Sequence, residues 1–189
     1  MKRDYRYPFI PDSLFQQEYR LTRVRENVEM FLYAVVASGL PFILGHQQLV
    51  VGVAVNAMLA MAALNLTGRR LLPVILLPSV GAYFAGLLFG ASSAALLYMI
   101  PAIWIGNAIF VLGIKELALA RGKNRLLSLG ASSIAKSAFL FIVASALYSL
   151  SLVPVAFLAA FGVFQLATAL GGGLAAFGLQ DAKRRLLPG

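Results

Sequence analysis

Residues 95–125 read ALLYMIPAIWIGNAIFVLGIKELALARGKNR, and the change of character midway along this stretch decides the fold. The first 20 residues, 95–114, carry no charge, and four basic residues follow within the next 11. Twenty apolar residues are about what a helix needs to cross the ~30 Å hydrocarbon core of a bilayer. The basic cluster then marks the side on which the crossing ends. Working outward, further apolar runs cover 28–44, 49–66, 71–89, 126–148 and 155–179, predicting six transmembrane helices. Sixty per cent of the chain is hydrophobic and only 12% charged, against roughly a quarter charged in a soluble domain. The short connectors force sequential helices to lie antiparallel in one bundle.

The charges give the orientation. Six basic residues from Lys2 to Arg25 precede the first run, and Arg69 and Arg70 separate the second and third. Lys115, Arg121, Lys123 and Arg125 separate the fourth and fifth, and Lys183, Arg184 and Arg185 follow the sixth. The connectors 45–48, 90–94 and 149–154 hold none. Fifteen of the 16 basic residues therefore fall on one face, which the positive-inside rule makes cytoplasmic, together with both termini. The net charge of +9 is thus accounted for by topology without a nucleic-acid partner. The reading divides the chain into an interfacial segment 1–27, a membrane domain 28–180 and a basic tail 181–189. Within the first segment, Asp12-Ser13-x-x-Gln16 has the form of a capping box, and Leu14 and Leu21 share heptad spacing. That pattern predicts a short amphipathic helix, lying on the inner membrane surface or docking a cytoplasmic partner.

The sixteenth basic residue, Lys136, lies inside the fifth run. Asn56, Asn107 and Gln165 fall about 10–18 Å from the outer ends of theirs, so four helices bring a polar group to one middle layer. Tyr83 and Trp104 stand above that layer as candidate aromatic walls. Lys136 has three readings: an ammonium snorkelling to the inner interface, a proton relay, or a buried cation holding an anionic group. No run has an acidic residue in its interior, so a buried Lys136 has no carboxylate of its own to pair with. The three amides serve equally as helix–helix hydrogen bonds or as a ligand's contacts. His46, Gln47 and Gln48 form a turn between the first two runs, solvated or acting as a lid. Ala34-x-x-x-Ser38 offers a small-residue face for helix packing or for a partner.

Several chemistries lack their residues. There is no cysteine and His46 is the single histidine, which excludes thiolate zinc, iron–sulfur and bis-histidine haem sites, so no metal is expected. Paired intramembrane aspartates, a Ser/His pair, an HExxH motif and a Walker-type loop are all missing, which points away from an enzyme.

Three stretches carry a resemblance: Val51-Gly52-Val53-Ala54-Val55-Asn56-Ala57-Met58-Leu59-Ala60, Ala135-Lys136-Ser137-Ala138-Phe139-Leu140-Phe141, and Phe164-Gln165-Leu166-Ala167-Thr168-Ala169-Leu170-Gly171-Gly172. With the outer turn Leu88-Phe89-Gly90, they resemble the substrate-binding S components of energy-coupling factor transporters, over about residues 28–180. The resemblance implies a prokaryotic cell membrane, a vitamin-like micronutrient held in the outer half of the bundle, and loops closing over it. It also implies a transmembrane coupling protein and two cytoplasmic ATPases as partners, with ATP used by those partners alone and no cofactor in this chain. The family's coupling contact, usually Ala-x-x-x-Ala, corresponds here to Ala34 and Ser38. From the residues, an anionic or neutral ligand with Lys136 as counter-charge is favoured over a cationic one. The alternative is a non-enzymatic scaffold that anchors a cytoplasmic complex, and a stand-alone channel is a third reading.

Overall fold

The computed structural model describes residues 12–18, 21–45 and 47–186. It is all-helical, with no strand among those residues. Its main helices are α1 (Arg23–Leu44), α2 (Gln48–Asn65), α3 (Leu71–Ala85), α4 (Leu96–Ile114), α5 (Arg125–Ser149), α6 (Ala156–Phe161) and α7 (Val163–Leu186). Five segments are long and apolar enough to cross a membrane: α1, α2, Ser92–Ala120 around α4, α5, and Ala156–Leu186 across α6 and α7. This is a multi-pass membrane protein. The third apolar run differs from its expected length. Gly86 takes a left-handed conformation (φ +66°) and returns its N–H to Ala82 and Tyr83, which stops α3 after 15 residues, about 22 Å.

The first helix begins earlier than its apolar run, because the Thr22 hydroxyl caps it by accepting from the Arg25 N–H at 3.4 Å. Close helix contacts rest on glycine. A Cβ on Gly81 of α3 would lie 2.9 Å from the Ser38 carbonyl carbon of α1, so these two backbones touch. Gly172 of α7 lies in the same way against the backbone of α2 at Ala57. Two apolar cores result. One joins Leu59, Leu64, Val74, Phe110 and Phe177 in the half of the bundle nearer the basic residues, and the other joins Leu96, Met99, Leu140, Phe157 and Phe161 in the opposite half.

At the basic end the charges do more than face water. Glu26 accepts from the Thr67 N–H and hydroxyl, both at 2.7 Å, and pairs with Arg70 at 3.1 Å. Glu29 accepts from the Tyr33 hydroxyl at 2.6 Å and pairs with Lys183. Asn65 and Gln180 exchange two bonds at 3.1 and 2.7 Å. These links tie the start of α1 to the ends of α2 and α7 and the start of α3.

Over the described residues, the amphipathic helix expected near the N-terminus is a single 3₁₀ turn, Asp12–Phe15. The segment after it runs across the basic end of the bundle. Its Glu18 N–H donates to the Leu64 carbonyl at 2.9 Å, and the Gln17 side chain donates to the Asn65 carbonyl at 2.6 Å. These are carbonyls that the C-terminus of α2 leaves without helical partners. Lys115, wholly buried at the start of a π-helical extension of α4, donates to the Gln16 carbonyl at 2.5 Å, and Arg125 and Arg184 both bind the Glu18 carboxylate. A longer helix would spend these groups on itself. Replacing Lys115 by Met removes this donor to the segment. In Lys115→Met, cleavage by a glutamyl endopeptidase after Glu18 is expected to accelerate at least roughly tenfold, the ratio set by an opening equilibrium shifted by one charged hydrogen bond. Peptide mass mapping during limited proteolysis checks this.

Candidate functional site

The half of the bundle away from the basic residues contains a cavity of about 110 Å³ between the two cores, walled by α1, α2, α3, α4, α5, α6 and α7. Lys136 of α5, Asn56 of α2, Asn107 of α4 and Gln165 of α7 all line it. Helical depth along the sequence thus located one common layer correctly. Among the described residues Lys136 is the only charged one on the lining, which is otherwise largely apolar.

Lys136 is buried, 2% exposed, and does not reach the basic end. Its Nζ donates to Asn56 Oδ1 at 2.6 Å and lies 5.2 Å from the centre of the Phe110 ring. Phe110 is itself wholly buried, so this cation–π contact is shielded from water. Asn56 uses its Nδ2 to donate to the Gly52 carbonyl at 2.9 Å and to Thr168 Oγ1 at 3.2 Å. Thr168 in turn donates to the Gln165 carbonyl at 3.2 Å. One hydrogen-bonded chain therefore joins α5, α2 and α7. Lys136 has three N–H donors, and a single one meets an acceptor among the described residues. Gln165 Nε2 is buried with no partner among the described residues. Unused donors at a buried site cost free energy until something accepts from them.

The other expected residues are placed as follows. Asn107 donates to the Ile75 carbonyl at 2.9 Å, and Trp104 Nε1 donates to the Leu76 carbonyl at 3.0 Å and to Ser79 Oγ at 2.9 Å. Both carbonyls lie in the turn of α3 just before Pro78. Trp104 braces the wall from outside the lining, and Tyr83 packs edge-on against Phe84, also off the lining. Gln48 lines the cavity, Gln47 is exposed, and His46 lies outside the described residues. Ala34 is buried, and the Ser38 hydroxyl bonds back to the Ala34 carbonyl at 2.7 Å. In this arrangement the small-residue face of α1 is taken up by α3 at Gly81.

Several lining residues were not among the candidate site residues of the sequence reading. Phe89 stacks on Phe161 at 6.0 Å between ring centres, and Phe161 and Phe164 line the cavity on the side of α6 and α7. Gly162, between those helices, breaks their axis. Thr168, three residues after Gln165, and Gly52, four before Asn56, were recoverable, since helical spacing puts each on its neighbour's face. Among the described residues, no group of three His, Asp or Glu side chains could hold a metal ion. Nothing matches this chain among family models, curated proteins or solved structures.

Proposed function

We propose that this chain is the substrate-binding membrane subunit of an importer of the energy-coupling factor type, capturing a small anionic or neutral micronutrient. The observation that supports the reading is the cavity itself, with a buried ammonium and an unpartnered amide donor on an otherwise apolar lining. In this reading six helices cross the membrane, both termini are cytoplasmic and the cavity faces outward. The short α3 completes its crossing with the 3₁₀ turn Gly68–Arg70 before it and residues 86–89 after it. A transmembrane coupling protein and two ATPases supply the energy, and this chain performs no catalysis and carries no cofactor. With the Ala34–Ser38 face turned to α3, the coupling protein docks on the opposite, exposed face of α1 around Phe31, Leu32 and Val35.

Size sharpens the proposal. About 110 Å³ is less than the ~150 Å³ cavity that admits a benzene ring. A vitamin-sized ligand therefore enters by displacing Phe161 and Phe164, and only a small one fits the cavity as it stands. A scaffold anchoring a cytoplasmic complex is the second reading, favoured by the fact that Asn56 and Asn107 are both already bonded to neighbouring helices.

Native mass spectrometry of the protein extracted gently from its membrane separates the two. The importer reading expects a bound small molecule, lost in Lys136→Ala, together with coupling-protein and ATPase masses. Partners without ATPases, and a bare cavity in every preparation, would overturn it in favour of the scaffold.

A further inference from the structure

We infer that the cavity selects a small organic monocarboxylate, its carboxylate held by Lys136 and Gln165 and its short apolar body directed toward Phe161. The inference rests on the solute-binding reading above and narrows it to a ligand class. Charge fixes the first part. One ammonium, with no other charged side chain on the lining among the described residues, is neutralised by a single negative charge, whereas a phosphate or sulfate dianion would bury a second charge without a partner.

Donor count fixes the second part. Lys136 keeps two N–H donors without acceptors, and Gln165 Nε2 adds another, buried in the same lining. Among the other lining groups, the Thr168 hydroxyl is engaged with Gln165, the Ser79 hydroxyl with the Leu76 carbonyl, and the Asn56 and Asn107 Nδ2 groups with helix carbonyls, while Gln48 stands apart at the start of α2. The Lys136 ammonium and Gln165 Nε2 thus offer buried free donors from two helices, and a carboxylate offers two acceptor oxygens and no donor. The chain from Lys136 through Asn56 and Thr168 to the Gln165 carbonyl holds these two donors in one layer. Volume fixes the third part. A cavity of about 110 Å³ beside the ~150 Å³ that takes benzene leaves room for a carboxylate bearing roughly two to four further carbons. Phe161 sets that limit, being buried and stacked on Phe89.

The test is calorimetric titration of the purified protein in nanodiscs of zwitterionic lipid, with straight-chain carboxylates from acetate to octanoate and with the matching primary amides. Binding is expected to peak at three to five carbons, about the volume limit above, and each amide is expected to bind at least roughly tenfold more weakly. Gln165→Leu is expected to weaken the best carboxylate roughly tenfold, and Lys136→Met to erase the preference for carboxylate over amide. Phe161→Ala is expected to shift the optimum to longer chains. Equal affinity for amide and carboxylate, or no binding of any member by the wild-type protein, overturns the inference, and neither readout needs a variant to fold. The two proposals fail separately. A neutral solute found with coupling subunits would sink the carboxylate and keep the importer. Carboxylate binding without any coupling subunit would do the reverse.

Discussion

Replacing Asn56 by Leu is expected to destabilise the protein by roughly 3–5 kcal/mol, far more than the loss of a neutral interhelical hydrogen bond. Such bonds in membrane bundles contribute about 0.6 kcal/mol on average and under ~2 at most. Asn56 Oδ1 is the single oxygen within hydrogen-bond reach of Lys136 Nζ among the described residues, and no carboxylate pairs with that ammonium. Without it, a buried cation keeps only the face of Phe110. Removing the charge should therefore rescue the loss. The double variant Asn56→Leu/Lys136→Met is expected to recover most of the stability, since both polar partners are replaced together. Lys136→Met alone strands the Asn56 oxygen at a cost of about 1–3 kcal/mol, offset by relief of the buried charge, and should move stability little. Denaturant titration in mixed micelles reads all four corners of the cycle. Additive losses, with no rescue, would mean that Lys136 escapes toward an interface when Asn56 is gone.

Much of this arrangement was legible in the residues, and the failures have a common cause. Apolar runs gave the membrane-length helices, because desolvated backbone has few alternatives to helix. Residue depth gave the shared layer of Asn56, Asn107, Lys136 and Gln165, because rise per residue is fixed. Rotation about each helix axis is not fixed by depth. Tyr83 and Trp104 lie at suitable heights yet point elsewhere, Trp104 toward the Leu76 carbonyl beside Pro78. Lys115 resembled one more topology charge at the edge of a run, but a π-helical turn carries it inward to the Gln16 carbonyl. The acidic residues were the larger omission. Glu18, Glu26, Glu29 and Asp181 meet Arg125, Arg184, Arg70, Lys183 and Arg25 at one end, in pairs whose partners lie up to 166 residues apart. No local pattern announces such partners. The same holds for the end of α3, which turns on one glycine in an apolar run that continues beyond it.

Of the three consecutive glycines in α7, Gly172 is expected to be the one that cannot become alanine. Successive positions on a helix point about 100° apart, so each glycine meets a different neighbour. A Cβ on Gly171 would lie 3.5 Å from Val53 Cγ2, an ordinary contact, and Gly171→Ala should be neutral or stabilising by up to about 1 kcal/mol through helix propensity. A Cβ on Gly173 would press on the Leu129 side chain, whose Cδ2 stands 2.8 Å away but can rotate. A Cβ on Gly172 would overlap the Val53 carbonyl oxygen and stand 2.7 Å from both the Ala57 nitrogen and Asn56 Cβ. None of these atoms can turn aside, so α2 and α7 must separate. Overpacking of this kind costs about 1–3 kcal/mol, which outweighs the helix gain. The larger consequence falls on the site, because the strained contact includes Asn56 itself. Moving that residue away from Thr168 loosens the chain that holds Lys136 in the cavity. Thermal midpoints in detergent are expected to fall in the order Gly171→Ala, Gly173→Ala, Gly172→Ala, with Gly172→Ala also losing carboxylate affinity. Equal midpoints for Gly171→Ala and Gly172→Ala would show that the two helices do not meet at this register, and the cavity would have to be rebuilt around a different pair.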